Sequence, residues 1–110
     1  MCNFKPKILS MDFIAIIPAR YGSTRFPGKP LVNINGKTMV HNVYVQARKV
    51  FDDVWVATDD HRILEEVEKF GGKAVMTMKK HRSGTDRCSE AIDKIESLEN
   101  RTWDVVVNIQ

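Results

Sequence analysis

At 110 residues with a formal net charge of +3, the chain is long enough for one domain with a hydrophobic core and too short for two ordinary ones. Its 43% hydrophobic and 28% charged content excludes disordered and fibrous classes, and no apolar run approaches the ~20 residues of a membrane span. The basic residues are dispersed without aromatic interleaving, which argues against a nucleic-acid partner. The first ten residues carry Lys5 and Lys7 and lack the apolar centre of a secretory signal, so the cytoplasm is the expected location. Cys2 and Cys88 are far apart, without CxxC spacing, and read as free thiols.

Residues 13–18 (FIAIIP) form a continuous, β-branched apolar run, as expected of a strand buried on both faces and central in a parallel sheet. Residues 19–30 cannot be regular, because Gly22, Pro27, Gly28 and Pro30 remove donors or favour unusual backbone angles. Residues 31–37 (LVNINGK) alternate and end in Asn-Gly, which predicts a short strand or extended connector running into a tight turn. Thr38 then caps a helix in which Val40, Val43, Tyr44, Ala47 and Val50 recur at helical spacing. Residues 54–58 (VWVAT) predict a second buried strand. Asp59 or Asp60 caps the next helix, which carries Ile63, Leu64, Val67 and Phe70 and stops at Gly71-Gly72.

A third short strand is expected over 73–76. A helix from Thr85 or Asp86 through Ala91, Ile92, Ile95 and Leu98 follows, then a fourth buried strand over 105–109. Alternating strands and helices with short connections give an α/β fold, a mainly parallel sheet with helices on both faces. Ligands of such sheets sit beyond the carboxyl ends of the strands. Segments 19–29, 77–87 and 108–110 fall there, whereas Asp59-Asp60 is more simply a helix cap.

The first of these segments sets Arg20, Arg25 and Lys29 beside Ser23 and Thr24. Guanidinium forks, an ammonium and backbone N–H groups around glycines can hold several phosphate oxygens together, so a polyphosphate fits better than a single carboxylate. Neither GxGxxG nor GxxxxGK[ST] occurs, so the cradle is neither a dinucleotide fingerprint nor a P-loop. His41, His61 and His81 lie at no metal-ligand spacing and read as structural or solvent-facing, His81 being the exception in that it precedes the Ser83-Gly84 segment. Trp55 and Trp103 read as packing residues, and nothing in the spacing requires Tyr21 to flank a ligand.

Pro18-Ala19-Arg20, Ser23-Thr24-Arg25, Pro27-Gly28-Lys29-Pro30-Leu31, Asn35-Gly36-Lys37, Ala57-Thr58-Asp59 and Ser83-Gly84-Thr85-Asp86-Arg87 together resemble the 3-deoxy-D-manno-octulosonate (KDO) cytidylyltransferases, or CMP-KDO synthetases. The motifs occur in the family's order from about residue 13 to residue 110. Sialate cytidylyltransferases share the chemistry, but their first loop has lysine where this chain has Thr24, which favours the KDO group.

The resemblance implies a Rossmann-like nucleotide-diphospho-sugar transferase fold, incomplete here, with residues 1–12 as an extension and 13–110 as the nucleotide-binding part. It implies attack of the sugar acid's anomeric hydroxyl on the α-phosphate of CTP with Mg²⁺ as cofactor, giving CMP-KDO for lipopolysaccharide assembly. Arg20 and Lys29 are the implied catalytic cations. Pro18, Ala19, Arg20, Ser23, Lys29, Thr77, Ser83, Gly84, Arg87 and Gln110 are the implied CTP-binding set, Arg87 being equally readable as a surface ion-pair partner.

The family's metal-binding aspartates correspond to positions beyond Gln110, so no metal ligand is assigned in this chain, although the carboxylate of Gln110 is expected near that position. The full-length family enzyme is expected to be a homodimer acting on CTP and KDO, with neither nucleic acid nor membrane as partner. Two readings stay open: part of such an enzyme, inactive alone, or a non-catalytic fragment that binds nucleotide or associates with another chain. Ending at residue 110 is expected to leave the last strand and some helix faces partly uncovered.

Overall fold

A computed structural model describes residues 12–22, 29–77 and 84–109. Strand β1 (Phe13–Ala19) is followed by a 3-10 turn (Lys29–Leu31), a hairpin of β2 (Asn33–Ile34) and β3 (Lys37–Thr38), and helix α1 (Met39–Arg48). Strand β4 (Asp53–Thr58), helix α2 (His61–Lys69), strand β5 (Lys73–Met76), helix α3 (Gly84–Glu99) and strand β6 (Val105–Asn108) complete the order. The four long strands form one parallel sheet in the order β5-β4-β1-β6. The α/β expectation therefore holds, with β1 an inner strand.

The period-2 alternation of the strands divides the core into two layers. From β1 and β4, Ala15, Ile17, Ala19, Val54 and Val56 pack against Val40, Tyr44 and Ala47 of α1 and Ile63 and Val67 of α2. On the opposite face Ile14, Ile16, Trp55, Ala57 and Val75 pack against Cys88, Ala91 and Ile95 of α3, with Trp103 beside them. The chain thus winds outward from β1 through β4 to β5 over one face, then returns over the other to place β6 on the free side of β1. Both tryptophans are core residues; the indole N–H of Trp103 donates to Asp53 Oδ2 at 2.9 Å. From α1, the Tyr44 hydroxyl donates to Val54 O (3.1 Å) and accepts from the N–H of Lys73 (3.2 Å), tying β4 to β5.

Local signals account for most element ends. Thr38 Oγ1 accepts the N–H of His41 at 3.3 Å as the cap of α1, and the same hydroxyl donates to Glu66 Oε2 of α2 at 2.8 Å. Of the two aspartates before α2, Asp60 is the cap, accepting the N–H of Arg62 at 2.8 Å. The expected tight turn after a short strand is Asn35-Gly36, both at positive φ, joining β2 to β3 as a hairpin, the primed turn that matches strand twist. Four local expectations are corrected. Val50 follows the end of α1 and is 75% exposed, and Leu98 in the last turn of α3 is 68% exposed: periodicity continued past the surface each helix can bury. The third helix starts at Gly84, before Thr85. β6, expected as a buried strand over 105–109, ends at Asn108 and lies at the edge of the described sheet with none of its residues fully buried and Val106 exposed. No helix among the described residues is long and apolar enough to cross a membrane.

Candidate nucleotide site

The winding reverses at β1, so a crevice opens where β1 and β6 end, the usual ligand position in such sheets. Pairing with β6 runs from Phe13 to Ile16, and the N–H of Ile109 makes a further bond to Ile16 O at 2.9 Å. Pro18, which has no N–H to offer, comes where that ladder has stopped. Beyond it lies a cleft of about 360 Å³ lined by Ile17, Pro18, Ala19, Arg20, Lys29, Pro30, Ile109 and the first turns of α1 (Met39, Val40, Val43). Two cations therefore reach one largely apolar cleft from different segments, Arg20 from the end of β1 and Lys29 from the 3-10 turn. In such surroundings, charge on a bound anion is screened less than in water. Arg20 Nη2 also donates to Gly22 O at 3.0 Å, which closes the turn around Tyr21.

Thr77 and Arg87 form a second cluster on the same carboxyl edge. The N–H of Thr77 donates to Thr58 O at 2.8 Å, so Thr77 continues the line of β5. Arg87 of α3 is 0% exposed. Its Nη1 donates to Thr77 Oγ1 at 2.6 Å and its Nη2 lies 3.6 Å from Asp59 Oδ2. Burial pushes the Arg87 guanidinium below its ordinary range, Asp59 opposes that shift, and the charge of Arg20 adds to it. Arg87 is thus no surface ion-pair partner; it is a buried cation joining the ends of β4 and β5 to α3. Asp59, read from the sequence as one of two possible caps, is its counter-ion.

Of the predicted site residues, Pro18, Ala19, Arg20 and Lys29 share the cleft, and Thr77 and Arg87 are in contact with each other. Gly84 begins α3. Ser23, Ser83 and Gln110 lie outside the described residues, as do Thr24, Arg25 and His81. Ile109, from the expected segment 108–110, lines the cleft, as do Met39, Val40 and Val43, which were not singled out; the signal for these three was their place at a helix start. His41 stacks on Phe70 with centroids 4.0 Å apart, a packing role. Among the described residues no three His, Cys, Asp or Glu side chains gather closely enough to hold a metal ion. At the carboxyl edge, Asp59 is engaged by Arg87 and Asp60 by Arg62. The described residues therefore do not fit a Mg²⁺ site.

A family model described as "Cytidylyltransferase" matches residues 14–110. The chain is 60% identical over 100 residues to a 3-deoxy-manno-octulosonate cytidylyltransferase of Parabacteroides distasonis, covering 91% of this chain and 38% of the relative. It is 50% identical to an Escherichia coli protein of the same name (88% and 38% covered). It is 53% identical to an 8-amino-3,8-dideoxy-manno-octulosonate cytidylyltransferase of Shewanella piezotolerans (91% and 40%). A solved structure of CMP:2-keto-3-deoxy-manno-octonic acid synthetase complexed with CTP superposes with a TM-score of 0.81 at 48% identity, covering 90% of this chain and 39% of that one. The chain spans about two fifths of the length of these relatives.

Proposed function

Since the chain belongs to the cytidylyltransferase family, we propose that it is the CTP-binding part of an enzyme that transfers CMP from CTP to 3-deoxy-D-manno-octulosonate. The observation that carries this reading is the convergence of Arg20 and Lys29 on one cleft where the sheet reverses its winding. In the proposed reaction the sugar's anomeric hydroxyl oxygen bonds to the α-phosphorus, giving up its proton to solvent, while the bond from that phosphorus to the bridging oxygen breaks. Pyrophosphate leaves with the electron pair, and the two cations stabilise the negative charge that builds on it. The backbone at Pro18 and Ala19, with Thr77, Ser83 and Gly84, is the proposed surface for base and ribose; Ser23 is proposed to hydrogen-bond the phosphates beside Arg20 and Lys29, and Gln110 completes the proposed CTP-binding set. The buried Arg87 is proposed to support that surface through Thr77.

Mg²⁺ is proposed as the cofactor of the whole enzyme, for which the described residues of this chain supply no ligand cluster. A cytoplasmic homodimer supplying activated sugar for lipopolysaccharide is the proposed setting. Relatives named for the 8-amino sugar acid, at 53% and 52% identity, make that compound the second acceptor to test.

Titration with CTP, followed by a pyrophosphate-release assay with each sugar acid, tests the reading. CTP binding weakened about 10- to 100-fold by Lys29→Ala is expected for loss of a charge-assisted contact. Equal CTP binding by wild type and Lys29→Ala would overturn the assignment of the cleft. Binding without acceptor-dependent release identifies a binding unit rather than an autonomous enzyme.

A further inference from the structure

Arg62 belongs to neither cluster, yet its guanidinium lies over the side chain that follows Arg20. Its Cζ is 3.4 Å from the centroid of the Tyr21 ring. The Tyr21 ring also packs against the core layer beneath α1 and α2, so Arg62 covers a ring already seated. The guanidinium is in turn gripped by the cap of α2: Nε donates to Asp60 Oδ1 at 3.0 Å and Nη2 to Asp60 Oδ2 at 2.8 Å. A continuous set of contacts runs from the α2 cap through Asp60, Arg62 and Tyr21 to the turn that Arg20 closes on Gly22 O.

We infer that Tyr21 and Arg62 are positioning residues that hold the turn after β1 so that Arg20 is presented to the outer phosphates of the nucleotide. This inference rests on the reading of the cleft as a CTP site. The planar fork matters more than the charge alone, because only a guanidinium can stack on a ring and chelate a carboxylate together. Arg62 is half in solvent, so the latch is worth what an exposed cation–π contact is worth, about two- to fivefold in affinity.

The test compares CTP with CMP, measured by calorimetry on the wild-type chain and on Arg62→Ala, Arg62→Lys, Tyr21→Leu and Tyr21→Phe. Arg62→Ala, Arg62→Lys and Tyr21→Leu are expected to weaken CTP two- to fivefold and leave CMP unchanged, whereas Tyr21→Phe, which keeps the ring and loses only the hydroxyl's lesser interaction with Arg62, stays closer to wild type than Tyr21→Leu. Equal weakening of CTP and CMP would indicate general loosening and overturn the inference, as would an unchanged CTP-to-CMP ratio. An Arg62→Lys protein indistinguishable from wild type would overturn it in favour of charge alone. Failure of the wild type itself to prefer CTP over CMP would sink the reading of the cleft, an outcome separate from these.

Discussion

Replacing Arg87 by methionine removes a fully buried cation while keeping a side chain of similar length. What remains is the Asp59 carboxylate, 12% exposed, and a Thr77 hydroxyl that has lost its 2.6 Å donor. Removing one partner of a buried pair costs about 3–5 kcal/mol. The 3.6 Å separation and the residual water access of Asp59 place this case near the lower end, about 3 kcal/mol on that scale. For a chain of this size such a loss lowers the melting temperature by roughly 12 °C. Urea unfolding followed by the fluorescence of Trp55 and Trp103, both packed on the α3 side of the sheet, reads the loss directly. Combining Asp59→Asn with Arg87→Met leaves no uncompensated charge and should recover at least half of it, a coupling of at least about 1.5 kcal/mol. A loss below about 1 kcal/mol in Arg87→Met, or additive costs in the double variant, would refute the account of a buried charge clamp.

Cys88 supplies a pH dependence. Burial pushes its thiol up from 9.0 to about 11, with the Arg87 charge opposing. Between those values the unfolded chain loses the proton that the folded chain keeps, so stability falls as pH rises through this window, by about 2–3 kcal/mol in all. Unfolding free energies at pH 8.5 and 10.5 should therefore diverge more in wild type than in Cys88→Ala, and identical slopes would count against a buried neutral thiol. Gly72→Ala places a methyl 2.7 Å from Phe70 Cε1, 2.9 Å from Val67 Cγ1 and 3.1 Å from Tyr44 Cζ. This overpacking should cost about 1–3 kcal/mol, and a thermal melt equal to wild type would show that the ring of Phe70 yields freely.

The order of elements was legible because the chain states it locally. FIAIIP and VWVAT are unbroken apolar runs, Thr38 and Asp60 stand at helix starts, and Gly71-Gly72 follows the last helical apolar position of α2. Arg20 and Lys29 could be paired from sequence because both flank one loop at a strand end. Arg87 was harder to read: a cation one turn into a helix looks the same whether it faces water or a carboxylate 28 positions earlier, and only the packing of α3 across β4 and β5 decides. Asp59 and Asp60 illustrate the same limit, since adjacent carboxylates point in different directions once β4 ends, one to Arg87 and one to the α2 cap. Arg62 carries no signal in the sequence, because its partner ring lies 41 positions away in the chain.

The reversal of winding at β1 also has a consequence for biosynthesis. β1 is translated first, yet its partner on one side, β6, begins at residue 105, and Ile14 pairs with Val106. At translation rates of about 5–20 residues per second, the 86 positions from residue 19 to residue 105 take roughly 4–17 s to add. During that interval the nascent chain can complete the α1–α2 layer while one edge of its most apolar strand, and the face that α3 later covers, stay unprotected. Such an edge invites pairing with other chains. The nascent polypeptide therefore has its greatest need of a chaperone after β5 has emerged and before β6 has closed the sheet.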